Sequence, residues 1–126
     1  MKIYSATNVS KFRIKWAESQ YTSGNIDIVW GQLTDGNYFY ASDADYTVSI
    51  VNENPGEEHN GEYDGFQYGD DYGWVEKHEV VRLSEKEELE FWLYLVNYCF
   101  RNNIALYGGN RTGFIKDINE CLEEYK

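Results

Sequence analysis

No apolar run in this chain approaches the ~20 residues that a bilayer span requires, and Met1 to Val9 has neither the basic nor the apolar region of a secretory signal. A cytoplasmic protein without membrane contact is expected. Cysteine is sparse: Cys99 and Cys121 are the only two, and both fall on apolar positions of predicted helices. Two reduced core thiols are expected, not a disulfide framework. Histidine is equally sparse, and neither His59 nor His78 has a Cys, Ser or His at ligand or triad spacing. Both are expected to be solvated surface side chains among acids. No Walker or dinucleotide motif is present, so no cofactor, no metal centre and no catalytic residue is expected, and the chain is read as a non-enzyme.

Bases are outnumbered two to one, with 11 Lys and Arg against 22 Asp and Glu, a formal net charge of −11. The imbalance is local. Residues 1–42 carry four bases against three acids, and residues 80–126 carry six against eight. From Asp43 to Glu79 there are eleven acids and a single base, Lys77. Such a field repels nucleic acid and anionic membrane and attracts basic partners. The alternation of Arg13 and Lys15 with aromatics does not outweigh it.

What the chain has in quantity is aromatic area: 17% of its 126 residues are Phe, Trp or Tyr, including 12 Tyr and 4 Trp. At this length one domain is expected over residues 1–126, burying roughly two-thirds of its unfolded surface. Bulky aromatics can build such a core without staples. Phe12, Ile14 and Trp16 alternate with Arg13 and Lys15, the period of a half-buried strand, and Ile26, Ile28 and Trp30 repeat it. Ser23-Gly24-Asn25 supplies the turn between them, and Thr34-Asp35-Gly36-Asn37 a second. Strands are predicted over Tyr38–Ala41, Tyr46–Val51 and Trp74–Leu83.

The last third has helical periodicity. Ser84 and Glu87 form a capping-box signature before a helix running to about Asn102. Leu89, Trp92, Leu93, Val96, Cys99 and Phe100 make one apolar stripe, and Phe91, Tyr94, Leu95 and Tyr98 an opposite one. Residues 91, 94, 95 and 98 are therefore the candidates for self-association, with a homodimer as the expected assembly if a second copy covers them. Ile104–Tyr107 is predicted as a short strand. A closing helix follows from about Thr112, with Phe114, Ile115, Ile118, Cys121, Leu122 and Tyr125 on one face. Strands followed by helices give an α+β fold, an antiparallel sheet from the N-terminal two-thirds with two C-terminal helices packed on it.

Three motif-like stretches need weighing. Asn60, Glu62, Asp64, Gly65, Phe66 and Asp71 partly match EF-hand spacing. Position 1 is not Asp, position 12 is not Glu, and no amphipathic helices flank the loop, so a solvated acidic turn fits better. The Tyr107–Gly113 stretch, with Gly108 and Gly109, could cradle a phosphate on backbone amides; without Walker spacing, a tight turn with a helix cap fits better. Carboxylates and aromatics abound as in glycoside hydrolases, but nothing marks one carboxylate as desolvated.

The central stretch carries the functional expectation. Glu57, Glu58, Glu62, Asp64, Asp70 and Asp71 interleave with Tyr63, Phe66, Tyr68 and Tyr72. An array of carboxylates can imitate a phosphate backbone to a basic groove, and aromatics are the usual interface anchors. These ten residues are the expected binding surface for a basic protein partner, such as a nuclease or another nucleic-acid-handling protein, whose action the chain would block. In charge and size, though in no motif, this parallels anti-defence inhibitors and nuclease immunity proteins. Two alternatives belong to other classes: a small-molecule or carbohydrate binder with hydrolytic activity, and a self-associating structural subunit.

Overall fold

The computed structural model describes residues 4–5, 11–21, 24–58 and 72–125. The chain order is β1 (Tyr4–Ser5), β2 (Ile14–Tyr21), β3 (Asp27–Leu33), β4 (Tyr38–Ser42), β5 (Thr47–Val51), α1 (Pro55–Glu58), α2 (Tyr72–His78), β6 (Glu79–Arg82), α3 (Glu85–Arg101) and α4 (Arg111–Leu122), closed by a 3-10 turn Glu123–Tyr125. The sheet order is β1-β6-β5-β4-β3-β2. Strands β2 to β6 pair antiparallel throughout, and the two-residue β1 joins β6 in parallel. This is the expected α+β architecture, with α3 and α4 packed on the sheet.

The two hairpin turns lie where turn chemistry places them. Asn25 and Gly36 adopt positive φ, 61° and 96°, conformations for which Asn and Gly are the cheapest residues. The capping box forms as expected: Ser84 accepts the Glu87 N–H, and the Glu87 carboxylate accepts the Ser84 N–H. Asn110 caps α4 by accepting the Gly113 N–H at 2.7 Å.

The main core lies between sheet and helices. Val29, Leu33, Phe39, Ala41, Val48 and Ile50 face Phe91, Trp92, Leu95 and Val96 of α3 and Phe114 and Ile118 of α4. A second cluster lies on the other sheet face, where Ile28 and Trp30 pack with Trp16, Ile26, Tyr40 and Trp74. The alternation in β2 and β3 therefore means something other than one wet face. In β3 Asp27 to Trp30 are all buried, because both sheet faces are covered. In β2 a register shift between Ile14 and Trp16 turns the two residues to opposite faces, as a bulge does.

Two expected elements differ, and with the first of them one side chain. Trp74–His78 is helical, and only Glu79–Arg82 is strand; Val75 and His78, three apart, are the buried positions, which is helical spacing. His78 is accordingly not a solvated side chain. It is 8% exposed, stacked on Trp74 at 4.4 Å between ring centroids, with Nδ1 3.0 Å from Asn52 Oδ1. Residues 104–107 are not a strand, because their polar groups find partners outside any ladder: Ile104 N–H donates to Cys99 O, Ala105 O accepts from Ser19, and Tyr107 N–H donates to Asp27. Cys99 is buried and Cys121 half-buried, and both are free thiols.

Candidate functional site

A concavity opens where the β4–β5 turn meets the start of α3 and the end of α4. It encloses about 540 Å³ and is lined by six carboxylates, Asp43, Asp45, Glu85, Glu88, Asp117 and Glu124, with Tyr46 and Tyr125 among the other lining residues and no base among those described. Tertiary packing assembles it from four places in the chain.

The turn is pinned to α3. Asp45 and Tyr46 both take positive φ, 61° and 52°, which reverses the chain sharply after β4. The Trp92 indole N–H then donates to Thr47 O at 3.1 Å, and the Tyr46 ring packs edge-on against Trp92 with 5.7 Å between centroids. Glu88, one turn before Trp92, accepts the Val48 N–H at 2.8 Å. Burial pushes the Glu88 carboxyl above its ordinary value; the Val48 bond opposes this, and the charges of Glu85 and Glu79 reinforce it.

Tyrosine hydroxyls brace the other wall. Tyr46 donates to Asp117 Oδ2 at 2.5 Å and Tyr125 donates to Glu85 Oε2 at 2.7 Å. Burial first, then the bond to Asp117, raises the Tyr46 phenol, and the bond to Glu85 pushes the Tyr125 phenol up to about 12. Both phenols therefore stay protonated donors at neutral pH. Burial also raises the Cys121 thiol, with Asp117, Glu124 and Glu120 adding to it.

Behind the turn, Asp43 meets Asp27. Asp27 is fully buried at the start of β3, and its two oxygens accept the N–H groups of Tyr107 at 2.9 Å and Gly108 at 2.7 Å. The loop weighed as a phosphate cradle thus directs these amides at a carboxylate of its own chain. Gly108 is required there: a Cβ would come within 2.8 Å of Asp27 Oδ2 and 2.9 Å of Asp43 Oδ2.

The residues singled out from the sequence fall elsewhere. Glu62, Tyr63, Asp64, Phe66, Tyr68, Asp70 and Asp71 lie outside the described residues, as do His59 and the EF-hand-like stretch from Asn60 to Asp71. Glu57 and Glu58 belong to α1, and Tyr72 opens α2. Of the stripe on α3, Phe91 and Leu95 have no exposed surface, being covered by this chain, while Tyr94 and Tyr98 are half-buried. Tyr94 OH accepts the Ile14 N–H at 2.9 Å, and its ring carries the Arg13 guanidinium at 5.3 Å. The cleft acids escape sequence reasoning because they are scattered from 43 to 124. One signal for Asp27 is present: an acid inside the apolar run Ile26 to Trp30.

Among the described residues, no group of three or more His, Cys, Asp or Glu side chains converges closely enough to hold a metal ion, and no helix is long and apolar enough to cross a membrane. Comparison with protein-family models, curated protein sequences and solved structures returns no match in any of the three.

Proposed function

We propose that this chain is a small acidic binding protein that captures a basic protein, in particular one that handles nucleic acid, and blocks it by occupying its cationic surface. The observation that carries this reading is the cleft with six lining carboxylates and no described lining base. Among the described residues no three of its carboxylates converge as metal ligands would, an arrangement suited to extended Lys and Arg side chains, which reach individual carboxylates through charge-assisted hydrogen bonds. Glu85, Glu88 and Asp117 are held in place by Tyr125, Val48 and Tyr46, so little side-chain freedom is lost on binding. The acids of the central stretch, Glu57, Glu58, Glu62, Asp64, Asp70 and Asp71, supply long-range steering, and Tyr63, Phe66, Tyr68 and Tyr72 supply anchoring area.

The test uses labelled oligo-arginine and oligo-lysine peptides, then a set of purified nucleases, at rising salt. Tight, salt-sensitive binding with loss of nuclease activity is expected. Neutralising Asp45, Glu85 and Glu124 together should weaken capture through faster release, and neutralising the six central acids should slow association and flatten its salt dependence. A protein that folds normally yet binds neither peptide at low salt refutes the reading.

A further inference from the structure

Three segments meet behind the cleft at one pair of carboxyl groups. Asp27 on β3 accepts two backbone N–H groups from the loop between α3 and α4. Its own N–H donates to Asp43 Oδ1 at 3.0 Å, and the Asp43 N–H returns a bond to Asp27 O at 3.1 Å. The two Oδ2 atoms lie 2.8 and 2.9 Å from one point, the Cβ position of Gly108. Two carboxylates facing one point, one fully buried and the other half-buried, do not both ionise cheaply. Both oxygens of Asp27 already act as acceptors, so the proton of the pair belongs on Asp43, which donates it to Asp27.

We propose that Asp27 and Asp43 form a shared-proton latch fastening the β4–β5 turn to the α3–α4 loop, and that loss of this proton loosens the loop and adds a negative charge to the cleft. The surroundings favour the proton. Asp43 meets Asp27 from β3, and it shares the cleft with Asp45 and Tyr46 from its own turn, Glu85 and Glu88 from α3, Asp117 and Cys121 from α4, and Glu124 and Tyr125 from the closing turn. Cys99 of α3 faces Asp27. No base faces the pair among these groups. Burial first, and then the bond to Asp27, push the Asp43 carboxyl up from 3.8 to about 7; the Asp27 backbone N–H opposes this and the Asp27 charge adds to it. The latch therefore changes state across the neutral range. It does not depend on which ligand the cleft takes, so its test is separate from that of partner capture.

The experiment follows the carboxyl carbons of Asp27 and Asp43 by NMR from pH 4 to 9 in the full chain, with the amide signals of Tyr107 and Gly108. The expected result is an Asp43 transition near pH 7 shared by both amides, whose exchange accelerates at least tenfold beyond the intrinsic rise with hydroxide. Asp43→Asn keeps a donor toward Asp27 and an acceptor for its N–H, and should abolish the transition and leave both amides protected. An Asp43 midpoint near 3.8, amides that do not follow it, or the same transition persisting in Asp43→Asn would each overturn the latch. If that variant does not fold, the wild-type titration decides alone: shared midpoints support the latch, and separate ones refute it.

Discussion

Replacing Asp27 tests how much of the fold hangs on a single buried carboxylate. In Asp27→Ala the Tyr107 and Gly108 N–H groups, now bonded at 2.9 and 2.7 Å, lose their acceptor. A buried donor left without a partner costs about 1–3 kcal/mol, which sets an upper range of about 6 kcal/mol for two. The loop itself is open to water: Tyr107 is 68% exposed, so after a small shift its amides can be hydrated. The loss should therefore fall near 3 kcal/mol, a large part of the ~5–15 kcal/mol that stabilises a domain. Asp27→Asn sharpens the test, because its shape is unchanged while one acceptor becomes an NH2 group aimed at a backbone N–H. It should lose nearly as much as the alanine variant.

The pH dependence of that loss has a definite sign. Asp43 is raised in the folded state, from 3.8 to about 7, so the stability from its shared proton is present in full below pH ~4 and is lost as pH rises through about 7. Asp27→Ala removes the acceptor of that proton. Its penalty should consequently be larger at pH 5 than at pH 8. Urea unfolding followed by tryptophan emission measures both values, with an unchanged m-value as the check that the unfolding reaction is the same. A loss below ~1 kcal/mol at pH 5, or an asparagine variant as stable as wild type, refutes the reasoning.

The wild-type unfolding free energy should itself decline from pH 5 to pH 8, by less than the limiting ~1.4 kcal/mol per pH unit because solvent reaches Asp43, while Asp43→Asn should be nearly flat over that range. Trp92→Ala should cost about 3–5 kcal/mol, since the side chain is fully buried and its indole holds Thr47 O; a loss under ~1 kcal/mol in the same assay contradicts that placement. Gly108→Ala should cost about 1–3 kcal/mol as overpacking, because its methyl would press on Asp27 Oδ2 and Asp43 Oδ2; thermal unfolding at wild-type temperature would show that the loop gives way freely.

Local signals carried the parts of the fold that local physics decides. Positive-φ turn residues such as Gly36, the cap at Ser84 and the 3.6-residue spacing of α3 and α4 each depend on neighbours in sequence, and each appears as expected. What escaped depends on tertiary partners. The helix at Tyr72–His78 competes with a strand pattern over too few residues for periodicity to decide. The extended segment 104–107 looks like a strand but has its hydrogen bonds with side chains and a helix end. The cleft is the clearest case: charge density directs attention to residues 43–79, yet among the described acids of that stretch only Asp43 and Asp45 line it. The other acids come from the first turn of α3, the middle of α4 and the closing 3-10 turn, which no local pattern brings together.

Those segments separate what the fold needs from what it does not. Glu85 and Glu88 stand in the first turn of α3, where the positive end of the helix dipole stabilises carboxylates. The presence of Glu85 fits helix physics, whereas burial and neighbouring acids work against charge on Glu88. Asp117, Glu120, Glu123 and Glu124 cluster toward the opposite pole of α4, which has no base in its last turn, and there the dipole disfavours them. A helix optimised for stability would end on Lys or Arg. Apart from Asp117, which accepts the Tyr46 hydroxyl, the acidic end of α4 is thus a cost that folding does not explain, and Glu124 from it lines the cleft together with Asp117. Glu124→Lys should therefore raise stability by about 0.5 kcal/mol while weakening capture of basic peptides and its salt dependence, the trade expected where a site is kept against the interest of the fold. A variant gaining stability with binding unchanged would show that these acids serve no partner. One losing stability would show that the Tyr125–Glu85 contact, and not the dipole, governs this end of the chain.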